Sequence, residues 1–386
     1  MNTAESDSQD NLLAGRLAMV TILLLAAALR FFRLDGQSMW FDEASRLLIA
    51  QSDVLSIVRE TGGDTLPPLF HLTMHFWGLA GQSDFWLRLL PAFESLLLVA
   101  VVYALGRCLF AQTLRSTGNK TGLIAALIFA VMPYQVFQAQ QANLYSLLVL
   151  LAGLQVLFFW LALRDGRRAW FAGYVLTAAA GIYVHYFAAL VTLALHIWLL
   201  AAGQIQSGRD YRRRWPSLLA ADAFLILLAL PIGFYFLRGA GEVGAGFWLE
   251  RPSVVAPLST LYLFTVSYSL TGLWAAAGFI LTLILVALVF LELAYGYRQR
   301  PQERPALLML LLLAFLPILL IFLVSQFVPL YLDRTLIICT PAYALLLGRA
   351  LATTRRRSPV PYLAGALLAV LIVSLYGYYV VADHSK

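Results

Sequence analysis

Charge is what this sequence has least of. Of its 386 residues only 12% are Asp, Glu, Lys or Arg, while 61% are hydrophobic, and the mean hydropathy is +0.80. A soluble domain could not bury so much apolar surface, so that class is excluded. Cysteine is nearly absent. Cys108 and Cys339 both lie inside apolar runs, so neither a disulfide framework nor a thiolate metal site is implied. Residues 1–10 contain no Lys or Arg, unlike the start of a cleaved signal peptide, and 12–32 is read as a retained first span. The net charge of +7 is scattered in short clusters, so no nucleic-acid partner is expected.

What remains is a succession of long apolar runs. A helix crossing roughly 30 Å of hydrocarbon needs roughly 20 residues. The expected fold class is an all-α polytopic membrane protein, a single transmembrane domain over 1–386 with about 11 transmembrane helices (10–13). No soluble C-terminal domain is expected. The basic clusters are Arg107/Arg115/Lys120, Arg164/Arg167/Arg168, Arg209/Arg212/Arg213/Arg214, Arg298/Arg300/Arg304 and Arg349/Arg355/Arg356/Arg357. The positive-inside rule puts them all on the cytoplasmic face, with an even number of crossings between neighbours. That predicts two helices within 121–163, broken near Pro133 and the polar run 138–143. It also predicts a fold-back near 181–186 within 169–203. Further spans are expected at 86–107, 216–237, 271–293, 305–325, 335–351 and 361–381. Segment 67–81 is apolar but short, opens with Pro67-Pro68, and reads as an interfacial or re-entrant helix.

With that topology the polar groups outside the basic clusters gather on the outer face. The first outer loop, 33–85, gathers Asp35, Asp42, Glu43, Asp53, Glu60 and Asp64. Trp40 and Phe41 beside Asp42-Glu43 suit the interfacial aromatic belt and would hold these acids at the water–lipid boundary. The turns at 138–145, 183–186 and 325–334 and the loop 239–268 lie on the same side. One-sided gathering points to catalysis. A transporter or flippase of lipid-linked sugars would place polar groups near mid-membrane, where only Glu94, His196 and Asp222 stand out, and no repeat of broken helices marks a transport path.

The run Leu34-Asp35-Gly36-Gln37-Ser38-Met39-Trp40-Phe41-Asp42-Glu43-Ala44 resembles the first-loop signature of membrane-embedded GT-C glycosyltransferases, in the branch of protein O-mannosyltransferases and aminoarabinose transferases. Asp64 with Pro67-Pro68-Leu69 resembles its D-x-H-P-P-L, although Leu66 stands where the His is usual. Leu87-Arg88-Leu89-Leu90-Pro91 is similar to its LRLP motif, and Val184-His185-Tyr186-Phe187 to its T-H-Y-F. The turn from Pro133 to Tyr145 is similar to P…Q-E-A-R-x-Y but reads Gln141-Ala142-Asn143-Leu144-Tyr145. Asp333-Arg334 resembles the late R-Y, with Thr335 replacing Tyr.

The resemblance implies an inverting transfer of sugar from a polyprenyl-phosphate carrier to a lipid, glycan or protein acceptor. It would occur on the extracytoplasmic face of an inner (plasma) membrane, among membrane lipids. Such a reaction needs a base for the acceptor's proton and cations for the leaving phosphate. Asp42 is the expected base, Glu43 its support. The competing role for Asp42 is to cap a helix over 44–57. Arg334 is the expected phosphate ligand; otherwise it snorkels or pairs with Asp333. Arg88 is a second substrate-binding candidate, or else pairs with Asp84 or Glu94. Gln141, Tyr145, His185 and Tyr186 are further substrate-binding candidates, and Trp248 and Glu250 could meet the acceptor. Asp64 and His185 are the expected ligands of a divalent metal (Mn, Mg or Zn), with His71 and His75 on one helical face as alternatives.

Overall fold

The computed structural model of the chain describes residues 2–61, 66–111, 115–202, 213–243, 249–353 and 360–381, all helical or looped, with no strand among them. The helices are α1 (Asn2–Phe31), α2 (Phe41–Ala50), α3 (Val54–Thr61), α4 (Leu69–Gly78), α5 (Asp84–Phe110), α6 (Arg115–Val131), α7 (Pro133–Ala139) and α8 (Tyr145–Asp165). There follow α9 (Arg168–Val184), α10 (Ala189–Ala202), α11 (Trp215–Val243), α12 (Ala256–Val266) and α13 (Gly272–Gln299). The last are α14 (Arg304–Val324), α15 (Thr340–Ala352) and α16 (Val360–Tyr376). Each expected span falls on a helix. Seven described helices are long and apolar enough to cross a membrane, or eight if the bent pair α6–α7 is one span. The other expected spans are α9, α10 and α16, of 17, 14 and 17 residues. Helix α12, inside the expected outer loop, was not anticipated.

The breaks have local causes. Pro133 has no N–H to donate to the carbonyl four residues back, and the chain bends by 60° between α6 and α7. The freed Phe129 and Ala130 carbonyls accept from the guanidinium of Arg30, 3.5 and 2.9 Å away, whose Nε donates to Ser95 at 2.9 Å. A buried arginine on α1 thus supplies the donors that proline withholds. The second break falls at His185, which leaves α9 in an extended conformation (φ −159°, ψ 135°) and caps the 3-10 turn Tyr186–Ala188.

Small residues set how closely the helices pack. A Cβ on Gly106 of α5 would stand 2.5 Å from Gly122 Cα of α6, and one on Gly348 of α15 would stand 2.7 Å from the Ala125 backbone. Helix α6 is therefore wedged between α5 and α15, a packing mode typical of membrane helices. The described members of the basic clusters lie at alternate helix junctions. Arg349 makes a buried pair with Glu303 at one of them, closing α15 on the turn before α14. The junctions between them, α7–α8 and α9–α10 among them, belong to the opposite end.

Segment 33–85 is largely helical where described. Glu43, in the first turn of α2, reaches back to the Trp40 N–H at 3.0 Å, half of a capping box. The cap is Trp40, so Asp42 lies inside the helix and does not cap it. The helix expected over 44–57 is two helices. Asp53 starts the second, accepting from the backbone N–H of Leu55 and Ser56 at 3.0 and 3.1 Å. Its bonds with Ser56 hold its carboxyl below the usual carboxylate range. At 10 residues, α4 spans about 15 Å, half a crossing. It is pinned to α5 by Trp77 and Trp86, stacked at 4.6 Å, each indole donating to the other's carbonyl.

Candidate active site

Asp42 and Glu43 are consecutive in the first turn of α2, so their side chains diverge by about 100°. Glu43 is fully buried and salt-bridged to Arg88. Its Oε1 also accepts the Ala142 N–H at 2.7 Å, which ties α2 to the α7–α8 junction. Arg88 has no donor nitrogen to spare. Nε and Nη2 face Glu43 at 3.0 and 2.9 Å, Nη1 donates to the Leu34 and Gln37 carbonyls, and Nη2 also donates to that of Ser38. This corrects two expectations. Arg88 is committed inside the protein rather than open to a substrate, and its partner is neither Asp84 nor Glu94. Glu94 lies buried on α5, its Oε2 without a hydrogen bond.

Asp42 turns the other way. Its Oδ2 accepts from Arg334 Nη1, with side-chain exposures of 33% and 29%. The alternative pairing of Arg334 with Asp333 is not the one formed; Asp333 accepts the Tyr268 hydroxyl at 2.6 Å instead. Burial and the Asp333 charge push the Tyr268 hydroxyl far up, so it stays protonated and donates. Asp42 and Arg334 border a cavity of about 360 Å³ whose walls also include Trp40, Phe137, Gln138, Gln141, Tyr145, Ser267, Tyr268, Ser269 and Tyr378. Sequence positions from 40 to 378 thus meet at one end of the bundle. The aromatic walls brace one another: Phe137 meets Trp40, Tyr268 and Tyr378 edge-on at 6.3, 5.7 and 5.8 Å. Ser267 adopts φ +65°, in the left-handed region that costs a non-glycine residue about 1–3 kcal/mol and that clusters at functional sites.

Tyr145, at the start of α8, carries two guanidinium groups near its ring. Arg334 Cζ lies 6.0 Å from the ring centroid and Arg46 Cζ 5.9 Å. Arg46 donates to Asn143 Oδ1 at 2.6 Å. The Nε of each arginine is buried without a hydrogen-bond partner. The sequence reading missed Arg46. The available signal was its place four residues after Asp42, one turn along α2 on the same side.

His185 is 8% exposed and its Nδ1 accepts the Phe187 N–H at 3.1 Å. Burial and the nearby Arg46 charge push its pKa down to about 4, so the ring is neutral near pH 7. Tyr186 packs edge-on against Phe236 at 5.0 Å, and neither residue borders the cavity. His71 is buried, and His75 Nδ1 meets the Ala50 carbonyl at 2.9 Å. Asp64 and Trp248 lie outside the described residues. No three His, Cys, Asp or Glu side chains among the described residues could share a metal. His185 has one nitrogen committed to backbone and a cation beside it, so it fits poorly as a metal ligand.

Residues 66–233 match the family model described as dolichyl-phosphate-mannose-protein mannosyltransferase. No curated protein matches by sequence. ArnT from Cupriavidus metallidurans, solved bound to undecaprenyl phosphate, aligns with a TM-score of 0.59 at 16% identity, covering 94% of this chain and 63% of that one. The apo oligosaccharyltransferase of Archaeoglobus fulgidus aligns with a TM-score of 0.59 at 14% identity, covering 94% of this chain and 56% of that one. Its complex with zinc and sulfate aligns at 0.51 and 15% identity, covering 95% and 52%. The chain thus spans under two thirds of the length of the structures it matches. Nearly all of it is accounted for by their fold, and the GT-C-like helical frame expected from the first loop is the frame observed.

Proposed function

We propose that this protein is an inverting glycosyltransferase that takes a sugar from a polyprenyl-phosphate carrier at the cavity between α2, the α7–α8 junction and the segment before α15. The observation that carries the reading is the Asp42–Arg334 pair at the cavity wall. It joins a carboxylate able to accept a proton to a guanidinium able to hold a phosphate. The family model over 66–233 and the carrier phosphate held by ArnT support the same chemistry.

In this reading the acceptor's hydroxyl or amine attacks the anomeric carbon from the face opposite the phosphate. Asp42 takes its proton as the new bond forms. The anomeric C–O bond breaks, and its electron pair leaves on the phosphate, whose added charge Arg334 offsets. Inversion follows from the single displacement. Glu43 acts through structure: with Arg88 it fixes the turn that aims Asp42. Gln141, Tyr145 and the aromatic walls surround the sugar and phosphate. The cavity volume is near the lower end of the roughly 300–1,000 Å³ usual for ligand sites, room for one sugar ring beside a phosphate. The site faces the extracytoplasmic side of the plasma membrane, opposite the arginine-rich junctions.

The test is purified protein in liposomes with a labelled polyprenyl-phosphate sugar and candidate acceptors. Asp42→Asn should lower the transfer rate by about 100-fold or more, the contribution expected of a general base, with the thermal transition preserved. Transfer at the wild-type rate would remove Asp42 from the mechanism. Transbilayer movement of the lipid without transfer would favour a transporter.

A further inference from the structure

We infer that Ser267 and Ser269, on the link between α12 and α13, are specificity-determining contacts for the sugar carried by the donor, each hydroxyl bonding a sugar hydroxyl. This rests on the reading of the cavity as a polyprenyl-phosphate-sugar site.

Ser267 holds a conformation that serine avoids. At φ +65° and ψ −162° it occupies a region that is essentially glycine-only, and such strain persists only where the surrounding structure over-determines it. The fastenings lie on both sides of the residue. The Ser267 N–H closes α12 by donating to the Leu263 carbonyl at 2.8 Å. The Val266 carbonyl accepts the Ser374 hydroxyl of α16, and the Tyr268 hydroxyl donates to Asp333 at 2.6 Å. None of these bonds uses the Ser267 side chain. Glycine would therefore fill the position with less strain and keep every one of them. What glycine would lack is the hydroxyl, and Ser267 borders the cavity.

The cavity wall divides by chemistry. Asp42 and Arg334 supply its charge, while Ser267, Ser269, Gln138 and Gln141 supply neutral hydrogen-bonding groups. A serine hydroxyl both donates and accepts, as a sugar hydroxyl does. A phosphodiester only accepts, so the neutral groups suit the sugar better than the phosphate. Their place fits as well, because the Tyr268 hydroxyl between the two serines is held by Asp333, the residue before Arg334. In a cavity of about 360 Å³, a sugar joined through one oxygen to a phosphate at Arg334 lies within reach of this link. A site that bonds a substrate hydroxyl discriminates against an analogue lacking it, which makes the two serines determinants of sugar choice.

The experiment measures donor binding without an acceptor. Full-length protein in nanodiscs is titrated with short-chain polyprenyl phosphate, bare or carrying mannose, glucose or a pentose. Wild type is compared with Ser267→Gly, Ser267→Ala and Ser269→Ala. Loss of one neutral hydrogen bond should weaken binding of the preferred sugar donor by about 2- to 10-fold in each variant. Affinity for the bare carrier should be unchanged, and the preference among sugars should narrow. Ser267→Gly should also melt about 1–4 °C higher as its strain is relieved. A residue that served the fold alone would not gain stability and lose sugar binding together. Unchanged sugar-donor affinity in the serine variants overturns the inference, as does an equal loss for the bare carrier. A lower melting temperature in Ser267→Gly overturns it too, since the hydroxyl would then be holding the fold. Intact donor binding with a raised KM for the acceptor would assign the link to the acceptor instead, leaving the proposed transferase standing. If wild type binds no polyprenyl-phosphate sugar, the proposed function fails first and the inference with it.

Discussion

Two arginine–carboxylate pairs begin one residue apart on α2 and end in opposite conditions. Glu43 with Arg88 is sealed, at 0% and 2% exposure, and its remaining oxygen and nitrogen positions are filled by backbone partners. Asp42 with Arg334 is about one-third exposed at a cavity wall, and Arg334 keeps a free buried donor. One pair is complete and the other is available. The helical period separates them: consecutive residues face about 100° apart, so one turn can supply both a fastening and a reactive group.

The sharpest way to break the comparison is to cut the sealed pair. Arg88→Met would leave Glu43 buried beside backbone acceptors with no cation. Breaking a buried pair from one side typically costs about 3–5 kcal/mol. A clear loss of thermal stability in detergent is expected, with 33–85 losing protease protection first. The double variant Glu43→Leu with Arg88→Met should recover much of that stability, because it removes both charges. If Arg88→Met left stability unchanged, Arg88 would not be the fastening described here, and a substrate role would be open again.

A second prediction concerns pH. His185 is held neutral with its folded pKa near 4, below the ordinary value of about 6.5. Between those values the unfolded chain binds the extra proton, so stability rises with pH across that window. It is complete above about pH 6.5 and lost as pH falls toward 4, about 3 kcal/mol in all. Between pH 7 and 4 the melting temperature of wild type should fall relative to that of His185→Leu, which lacks the titrating ring. Parallel curves would show that His185 is not the group responsible.

How much of this could be read from the sequence depended on how local each cause was. Pro133 and the polar run behind it mark the α6–α7 break, because a missing N–H acts within one turn. The same holds for the fold-back near His185. Partner choice was not legible. Glu43 and Arg88 are 45 residues apart and could be paired only once α2 and α5 were packed together, so Asp84 and Glu94, nearer in sequence, looked as plausible. The aromatic walls from Trp40, Phe137, Tyr268 and Tyr378 come from four distant segments, each resembling an ordinary belt residue. Helix α12 has 11 residues, too few to stand out from its loop. Arg46 carried one weak signal, its spacing from Asp42, and that spacing is equally typical of a solvated helix face.

The smallest expected effect is the most discriminating for the open pair. In the proposed reaction, Asp42 and the carrier phosphate would draw on the same guanidinium, that of Arg334. Neutralising Asp42 should therefore free Arg334 and tighten carrier binding, even as it abolishes transfer. A partly exposed ion pair is worth about 0.2–1 kcal/mol, so Asp42→Asn should bind polyprenyl phosphate only about 1.5- to 5-fold more tightly. Relief of direct repulsion between Asp42 and the phosphate would act in the same direction, so a double-mutant cycle with Arg334→Gln is needed to separate the two. If competition for the arginine is the cause, the gain disappears once Arg334 is gone. If repulsion is the cause, it persists. A loss of carrier affinity in Asp42→Asn would mean that Asp42 orients Arg334 for the phosphate instead of competing for it, and the open pair would then be as structural as the sealed one.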